Sequence, residues 1–213
     1  MIKIDNISLS FNQQKVLDNF SLSVEQGAKV AVSGRSGSGK SSVLRCLLGF
    51  VVPEQGCIFV DGTKLDGNSI WQARRQIGYV AQEPDLGDGT VREVIDRSFE
   101  YKANHTAAGN LGRLGQLMVE FDLNESILAK NITSLSGGEK QRIALIIALL
   151  LGRKILLLDE ISSALDSKSK SKVLTHIMQT DLTVIFVTHD HDIVSMCGQV
   201  VTLEAAGQEA GNE

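Results

Sequence analysis

The sequence has no hydrophobic run long enough to cross a membrane. Its longest uncharged apolar run, residues 143–152, lies between two arginines and is about half as long as the roughly 20 residues that a spanning helix needs. The N-terminus, Met1–Asp5, alternates like a strand and has no basic segment followed by an apolar one. We therefore expect a chain that does not itself span a membrane, carries no secretory signal and remains in the cytoplasm.

Cysteine is scarce, and basic residues are not in excess. Cys46, Cys57 and Cys197 are far apart and in no metal-ligand spacing, which favours small buried thiols in a reducing compartment. With 21 basic against 25 acidic residues, the net charge is −4. The chain therefore lacks the bulk positive charge that nucleic acid or anionic lipid would attract, and we expect no nucleic-acid partner.

What the chain does have is enough apolar sequence for one folded domain, since 43% of its 213 residues are hydrophobic. β-rich runs are predicted at Ile2–Leu9, Phe20–Val24, Lys29–Ser33, Cys57–Val60, Gly78–Ala81, Ile155–Leu158, Thr183–Val187 and Val200–Leu203. Helical patterns are predicted at Lys40–Leu48, Val91–Phe99, Leu111–Phe121, Glu139–Leu151 and Lys168–Gln179.

The apolar runs at 155–158 and 184–187 predict central strands of a sheet that helices cover on both faces. Thr90 and Glu93 form a plausible capping box at the start of one of these helices. The sequence thus predicts an α/β sandwich with a mostly helical insert from about Thr90 to Lys130. The last residues, Glu204–Glu213, are expected to fray.

A glycine-rich loop follows the predicted strand Lys29–Ser33 and consists of Gly34, Arg35, Ser36, Gly37, Ser38, Gly39, Lys40 and Ser41. It fits the pattern G-x-x-x-x-G-K-[ST] in the strand–loop–helix context that this pattern requires. Glycines let backbone N–H groups turn toward phosphate oxygens, and the helix start adds its positive dipole end. Lys40 would reach the β- and γ-phosphates, and Ser41 would ligate Mg²⁺. The alternative is a glycine-rich turn without a ligand.

Two carboxylates, Asp159 and Glu160, follow the apolar strand predicted at 155–158. Acids in this position often mean only that the chain has reached solvent. Because ligands of open α/β sheets gather at the carboxyl ends of the strands, a functional role is also open. Asp159 could then hold the Mg²⁺ hydration shell, and Glu160 could orient and deprotonate an attacking water.

The segment Leu135-Ser136-Gly137-Gly138-Glu139 has two explanations. Ser136 and Glu139 form a capping box, which many helices use for purely local reasons. Two glycines in a first helical turn, however, each cost about 1 kcal/mol of helix propensity relative to alanine. They would be useful if an anion had to approach the helix start closely. One nucleotide could use both this helix start and the glycine-rich loop if the second came from another molecule.

Taken together, these motifs resemble the ATP-binding subunits of ABC transporters, in order and over nearly the whole chain. The loop at 34–41 resembles the Walker A motif, with Ser42 in place of a more usual threonine, and 155–159 resembles the Walker B strand with Glu160 as the catalytic base. Residues 135–139 resemble the ABC signature, and 163–166 resemble the D-loop, which includes Asp166. Gln82 and His189 each follow a predicted strand, at the places of the Q-loop and the switch histidine. Phe11 stands where this family stacks an aromatic ring on adenine.

The resemblance implies a P-loop NTPase sandwich of the ABC ATPase type, with a small antiparallel β part and a helical subdomain at about 83–152 inside a single domain at 1–203. It further implies ATP and Mg²⁺ as ligands, with Ser41, Gln82 and Asp159 around the metal and Glu160, His189 and Gln82 in catalysis. Two identical copies would pack head to tail, so that each ATP lies between Lys40 and Ser41 of one copy and Ser136, Gly137 and Gly138 of the other. Integral membrane permease subunits would be the further partners, at the cytoplasmic face of the cell membrane.

Several features bear on the subgroup. Ile161 stands where a proline is frequent in this family, and 130–134 lacks the Gly-Glu-rich pattern of multidrug exporters. The segments 127–132 and 159–166 look most like small bacterial subunits assigned to iron export. One rival interpretation is a soluble ABC-type ATPase that acts on nucleic acid or ribosomes, although no long heptad segment separates Lys40 from Leu135. Another is a small-molecule kinase, which would leave the motif at 136–139 without a purpose.

Overall fold

The computed structural model describes residues 1–204 and separates the chain into two units, Met1–Ile77 with the segment from Thr183 onward, and Gly78–Leu182. The strands within residues 1–204 are β1 (Ile2–Phe11), β2 (Gln14–Val24), β3 (Lys29–Gly34), β4 (Gln55–Val60), β5 (Thr63–Lys64), β6 (Ile77–Val80), β7 (Ile155–Asp159), β8 (Thr183–Val187) and β9 (Gln199–Leu203). The α-helices are α1 (Lys40–Leu47), α2 (Ile70–Arg74), α3 (Val91–Glu100), α4 (Leu114–Glu120), α5 (Gly137–Leu150), α6 (Ser167–Gln179) and α7 (His191–Met196). Shorter 3₁₀ segments lie at His105–Arg113, Glu125–Ala129 and Ile132–Ser134.

An antiparallel sheet in the first unit has the strand order β2-β1-β4-β5. Its hairpin between β1 and β2 turns at Asn12 and Gln13, whose φ angles are 50° and 65°. Positive φ at both central residues is the geometry of a type I′ turn, which matches the twist of the flanking strands. Apolar side chains such as Ile2, Ile4 and Leu22 point into the core of this unit.

Three parallel strands complete the first unit, in the order β8-β3-β9. The pairing of β3 with β8 runs from Lys29 opposite Val184 to Val32 opposite Val187. Because the strands are parallel, their carboxyl ends reach the same edge. The loop after β3 and the segment after β8 therefore start side by side.

In the second unit, β6 lies beside β7, and helices α3 to α5 come between these two strands in the chain. All five residues of β7 are buried, in keeping with a continuous apolar strand covered on both faces. Helix α5 is buried at Gln141, at Ile143 and along the whole stretch 145–150. This helix therefore forms much of the core of the second unit.

The predicted α/β class, with antiparallel and parallel strands and covering helices, is confirmed. One predicted helix, Leu111–Phe121, is wrong in its first part, because 3₁₀ geometry extends to Arg113 and α4 begins only at Leu114. Glycines at 109 and 112 lower the α propensity of that stretch. Helices α2 and α7 were not predicted, because five or six residues show too little periodicity.

Two further expectations concern the chain ends and the membrane. Of the segment expected to fray, only Glu204 belongs to the described residues, and 205–213 lie outside them. Within residues 1–204, no helix combines the length and the apolar character that a membrane span requires. The limits given for a helical subdomain, about 83–152, stay a prediction.

Candidate functional site

The glycine-rich loop joins β3 to α1 in the first unit. Gly37 and Gly39 have φ angles of 81° and 94°, which side-chain-bearing residues rarely adopt. At Gly39, a Cβ atom would also lie 2.8 Å from the carbonyl oxygen of Val16. At Gly37, a Cβ atom would meet nothing within 4 Å. Gly39 thus lets the loop pass close to β2, and Gly37 lies where the loop is open on one side.

Lys40 is only 7% exposed although it carries a charge. Its ammonium group donates hydrogen bonds to the carbonyl oxygens of Gly34, at 2.9 Å, and Arg35, at 3.0 Å. A buried ammonium is stable only where acceptors surround it, and here the loop itself supplies them. The lysine charge is therefore held against the backbone of the loop, at the start of α1.

Three serines accompany this lysine. Ser38 is 1% exposed, and among residues 1–204 its hydroxyl oxygen has no hydrogen-bond partner. Ser41 is half-buried, and Ser42 is buried, with its backbone N–H donating to the Gly39 carbonyl oxygen at 2.9 Å. A buried hydroxyl without a partner is costly in a protein interior. The loop thus carries, besides the buried ammonium of Lys40, a buried hydroxyl on Ser38 that has no hydrogen-bond partner among the described residues.

His189 lies two residues beyond β8 and is exposed. The backbone N–H of Thr188 donates to the Val32 carbonyl oxygen at 3.1 Å, and Asp190 caps α7 by accepting from the Asp192 N–H. These contacts fix the segment on both sides of His189 at the sheet edge where the glycine-rich loop begins. Phe11, at the tip of the β1–β2 hairpin in the same unit, is 43% exposed.

Asp159 is the last residue of β7 in the second unit, and Glu160 follows it. Their exposed fractions are 6% and 8%. The phenol hydroxyl of Tyr79, on the neighbouring β6, is 3.5 Å from Oδ2 of Asp159, at the long limit of a hydrogen bond. The sequence reasoning missed Tyr79. The available signal was that Tyr79 lies near the end of a predicted strand, Gly78–Ala81, as the two carboxylates also do.

Glu160 has a φ of 48°, in the left-handed region. For a residue with a side chain, this conformation costs about 1–2 kcal/mol. It is maintained by a tight turn, in which the backbone N–H and the hydroxyl of Ser163 both donate to the Glu160 carbonyl oxygen, at 3.1 Å and 2.9 Å. Such strain often marks a functional position, because the fold must hold the side chain where a relaxed backbone would not place it.

Gln82 is exposed just after β6. The carbonyl oxygen of the preceding residue, Ala81, accepts a hydrogen bond of 3.2 Å from Nε2 of Gln141 on α5. The backbone before Gln82 is thus tied to the helix that begins at the predicted signature. Gln141 lies just beyond the segment 135–139, and its contact with Ala81 was not predicted.

Ser136 forms the capping box of α5 that the sequence predicted. Its hydroxyl accepts the Glu139 N–H at 3.2 Å, while the Glu139 carboxylate accepts the Ser136 N–H at 2.8 Å and the Ser136 hydroxyl at 2.9 Å. The Ser136 N–H holds the pKa of Glu139 below its usual value, with further help from the charges of Lys130 and Arg142. The capping box that explains this motif locally is therefore present in the fold. It does not conflict with a role of the same helix start in binding a ligand.

The two glycines of the motif have different surroundings. A Cβ atom on Gly138 would lie 2.6 Å from the carbonyl oxygen of Ala164, whereas one on Gly137 would lie 3.5 Å from the Ala164 Cβ, an ordinary contact. The sequence argument explained both glycines by the approach of an anion. For Gly138, the close approach of Ala164 is a further reason for a glycine, and a role of Gly138 at an anion stays a prediction. Gly137 is exposed and keeps the original explanation.

Asp166 and Arg142 connect this helix start with the next one. Asp166 is the N-cap of α6 and accepts from the Ser169 N–H at 2.9 Å and from its hydroxyl at 2.7 Å, and these bonds lower its pKa. Arg142 donates to the carbonyl oxygens of Gly138, Phe121 and Asp122 and to the Ser169 hydroxyl. Asp166 thus has a structural function in the fold, and Arg142, whose role the sequence did not reveal, joins three helical segments.

The structure therefore brings the predicted residues together in two groups, one in each unit. The loop at 34–42 and His189 share an edge in the first unit, and Gln82, Asp159 and Glu160 belong to neighbouring strand ends in the second. Within residues 1–204, no cluster of three or more His, Cys, Asp or Glu side chains forms a metal site by itself. The three cysteines are free thiols, and burial raises the pKa of Cys46 and of Cys197 to about 11.

Comparison with known proteins identifies this combination of motifs. Residues 17–163 match the family described as "ABC transporter". The chain is 34% identical over 208 residues to the probable iron export ATP-binding protein FetA of Escherichia coli (strain K12), a match that covers 96% of this chain and 91% of that protein. It is 32% identical over 195 residues to the lactococcin-A transport/processing ATP-binding protein LcnC of Lactococcus lactis subsp. lactis, covering 90% of this chain but only 27% of LcnC.

Solved structures agree with the sequence relatives. The chain superimposes on the dimeric, post-hydrolysis structure of the ATP-binding cassette MJ0796 bound to ADP and Pi with a TM-score of 0.81, at 27% identity and over 96% of this chain and 95% of that one. Together with the sequence match over most of the chain, this settles the family: the chain belongs to the ABC transporter family as an ATP-binding and ATP-hydrolysing subunit.

Proposed function

We propose that the chain powers metal export, with iron as the cargo, as an ATP-dependent head-to-tail homodimer bound to permease subunits at the cytoplasmic face of a membrane. The observation that carries the ATP site is the buried ammonium of Lys40 on the carbonyl oxygens of Gly34 and Arg35. It supports a phosphate role because the cation is already in place and needs only to exchange carbonyl acceptors for phosphate oxygens.

In the proposed site, the loop binds the triphosphate. Backbone N–H groups of 34–42 and the positive end of α1 attract the phosphate oxygens. The buried hydroxyl of Ser38, which has no partner among the described residues, would gain an acceptor. The exposed ring of Phe11 would stack on the adenine, an arrangement that its 43% exposure permits.

Mg²⁺ suits the oxygen donors of this chain. Ser41, Gln82 and Asp159 would hold it through a hydroxyl, an amide oxygen and a carboxylate, and oxygen is the donor type that Mg²⁺ prefers. When bound, the ion neutralises charge on the β- and γ-phosphates. The Tyr79 hydroxyl lies beside this carboxylate, 3.5 Å from Oδ2 of Asp159.

Hydrolysis would depend on Glu160 as the base that orients and deprotonates water, and on His189 and Gln82, which respond to the γ-phosphate. A second copy would present Ser136, Gly137 and Gly138 to the same triphosphate. Asp166, at the adjacent helix start, would border this contact. Loss of the γ-phosphate would remove contacts that only ATP makes, and the dimer would open.

Iron as cargo rests on resemblance to FetA, which is named for probable iron export and matches over 91% of its length. The soluble rival, an ATPase acting on nucleic acid or ribosomes, is less well supported, because the relatives named above are transport proteins. The residues that hydrolyse ATP are shared by transporters of many cargoes, so the cargo needs a test of its own.

ATP binding can be tested at Lys40 with a matched control. Lys40→Ala removes a charged donor to phosphate, and we expect ATP affinity to fall about 10- to 100-fold. Lys29 is the control, since its ammonium also donates to a backbone carbonyl, that of Gly27 at 3.1 Å, but from the opposite end of β3. Lys29→Ala should bind ATP normally by isothermal titration calorimetry. Equal affinity of Lys40→Ala and the wild type would contradict the site.

The dimer and the base can be tested at Glu160. Glu160→Gln should bind ATP with Mg²⁺ and accumulate as a dimer in size-exclusion chromatography, because hydrolysis is blocked while the ATP contacts persist. The double variant Glu160→Gln with Lys40→Ala should stay monomeric. A dimer whose amount does not depend on ATP would argue against the nucleotide-bridged arrangement.

The cargo can be tested on the complex that copurifies with the chain from native membranes. Its ATPase rate should rise with Fe²⁺, and not with Mg²⁺ beyond the amount that ATP needs, and cells without the chain should retain more iron. Stimulation by a different solute would support the transporter function and contradict iron as the cargo. Absence of the chain from native membranes would support the soluble rival.

A further inference from the structure

Gln141 makes a contact that links two proposed parts of the machinery within the second unit. It lies on α5, five residues after the N-cap Ser136, and is 2% exposed. Its Nε2 donates to the carbonyl oxygen of Ala81, at 3.2 Å. Ala81 is followed directly by Gln82, so a single hydrogen bond joins the start of the signature helix to the backbone that carries Gln82.

The oxygen of the same side-chain amide lacks a comparable hydrogen bond among the described residues. Among residues 1–204, Oε1 of Gln141 is buried and has no hydrogen-bond partner. The amide cannot be reversed, because two oxygens would then face each other at the position of the bond to Ala81. A buried acceptor without a partner destabilises a fold and offsets the stabilisation from the bond to Ala81, so an apolar side chain of similar size would change stability little at this position. The retained glutamine calls for an explanation other than stability.

Arg142, the residue after Gln141, shows that this part of α5 is hydrogen-bonded to two other segments of the second unit. Arg142 binds the first turn of α5 to α6 through the Gly138 carbonyl oxygen, at 3.2 Å, and the Ser169 hydroxyl, at 3.0 Å. Gln141 makes the corresponding connection toward Gln82. One hydrogen bond therefore connects the start of α5 with the segment after β6.

We propose that Gln141 is a positioning residue for ATP hydrolysis, which acts by holding the backbone at Ala81 so that Gln82 follows the signature helix. This inference rests on the proposed role of Gln82 in hydrolysis. It requires Gln141 to affect turnover through Gln82, and it requires no direct contact between Gln141 and ATP. The alternative is that Gln141 serves only to pack the core of the second unit.

The test uses Gln141→Met in the full chain, because methionine is unbranched, of similar length and unable to donate. We expect kcat for ATP hydrolysis to fall about fivefold, as for the loss of one ordinary hydrogen bond, with KM for ATP unchanged and the thermal midpoint little changed. Gln141→Leu should behave alike. The matched control is Gln76→Met, which removes another buried amide oxygen without a partner among the described residues and should leave kcat unchanged.

A double-mutant cycle distinguishes action through Gln82 from a general effect. Gln82→Ala should lower kcat, and adding Gln141→Met to it should change kcat by less than twofold. If Gln82→Ala lowers kcat but Gln141→Met does not, or if the two effects multiply, the positioning role is overturned and the proposed function stands. If both Gln141 variants lower the thermal midpoint together with kcat, Gln141 is a packing residue and the inference fails. If Gln82→Ala has no effect, both the role of Gln82 and this inference fall.

Discussion

Alanine substitutions at the two signature glycines should have opposite effects on stability. Both would gain helix propensity, worth up to about 1 kcal/mol each. At Gly138, the added Cβ would lie 2.6 Å from the Ala164 carbonyl oxygen, while at Gly137 the nearest atom, the Ala164 Cβ, would be 3.5 Å away. Because the propensity gain is common to both, the difference between the variants isolates the clash. Overpacking of this kind costs roughly 1–3 kcal/mol.

For a chain of this size, a difference of about 2 kcal/mol corresponds to roughly 4–8 °C in the thermal midpoint. We expect Gly137→Ala to unfold at or above the wild-type midpoint and Gly138→Ala to unfold below it, as measured by scanning calorimetry. Equal midpoints would show that the approach of Ala164 to Gly138 does not constrain the helix. ATP-induced dimerisation supplies the second measurement. Gly137→Ala should weaken it without loss of stability if that glycine serves an approaching nucleotide.

Substitutions at three further positions follow from the same region. Arg142→Met should lower the free energy of unfolding by about 2–4 kcal/mol in urea titrations, because part-buried acceptors on Gly138, Phe121 and Ser169 lose one donor group; a loss below about 0.5 kcal/mol, roughly half a typical hydrogen bond, would contradict this. Asp166→Ala should lower the thermal midpoint through the lost N-cap of α6, and Asp166→Asn should lower it much less. The Ser136 N–H lowers the pKa of Glu139 in the folded chain, so its contribution is complete above the unfolded pKa of about 4.3 and is lost as pH falls through the lower folded pKa. Wild-type stability should therefore drop more between pH 6 and pH 3 than that of Glu139→Gln, and equal drops would refute the assignment.

Interactions between residues close in sequence were predicted well. The capping box of Thr90 and Glu93 is present, with bonds of 3.3 Å and 2.7 Å, and so is that of Ser136 and Glu139. Strand β8 has the predicted limits, and β7 extends one residue beyond its prediction. These features depend on periodicity and on side chains that reach three residues along the chain, and both are visible in the order of the amino acids.

The contacts between distant segments were not predicted. Gln141 meets Ala81, Arg142 meets Phe121 and Ser169, and Gly138 faces Ala164. In the sequence, Gln141 and Arg142 are polar residues of a helix whose buried face cannot be assigned without its neighbours. The left-handed backbone of Glu160 is equally invisible, because glutamate has no preference for it and only the surrounding turn maintains it.

The order of residues alone was sufficient for the α/β class, the glycine-rich loop, the strand-end carboxylates and the family, because each is encoded by short spacings whose chemistry is specific. Tertiary structure was needed to show that Lys40 is held on its own loop, that Gly138 makes room for Ala164, and that Gln141 ties the backbone at Ala81 to α5. The physical reason is the distance along the chain. A turn or a cap is stabilised by neighbours in sequence, whereas a buried contact exists only after packing has selected which of many possible partners comes within a few ångströms.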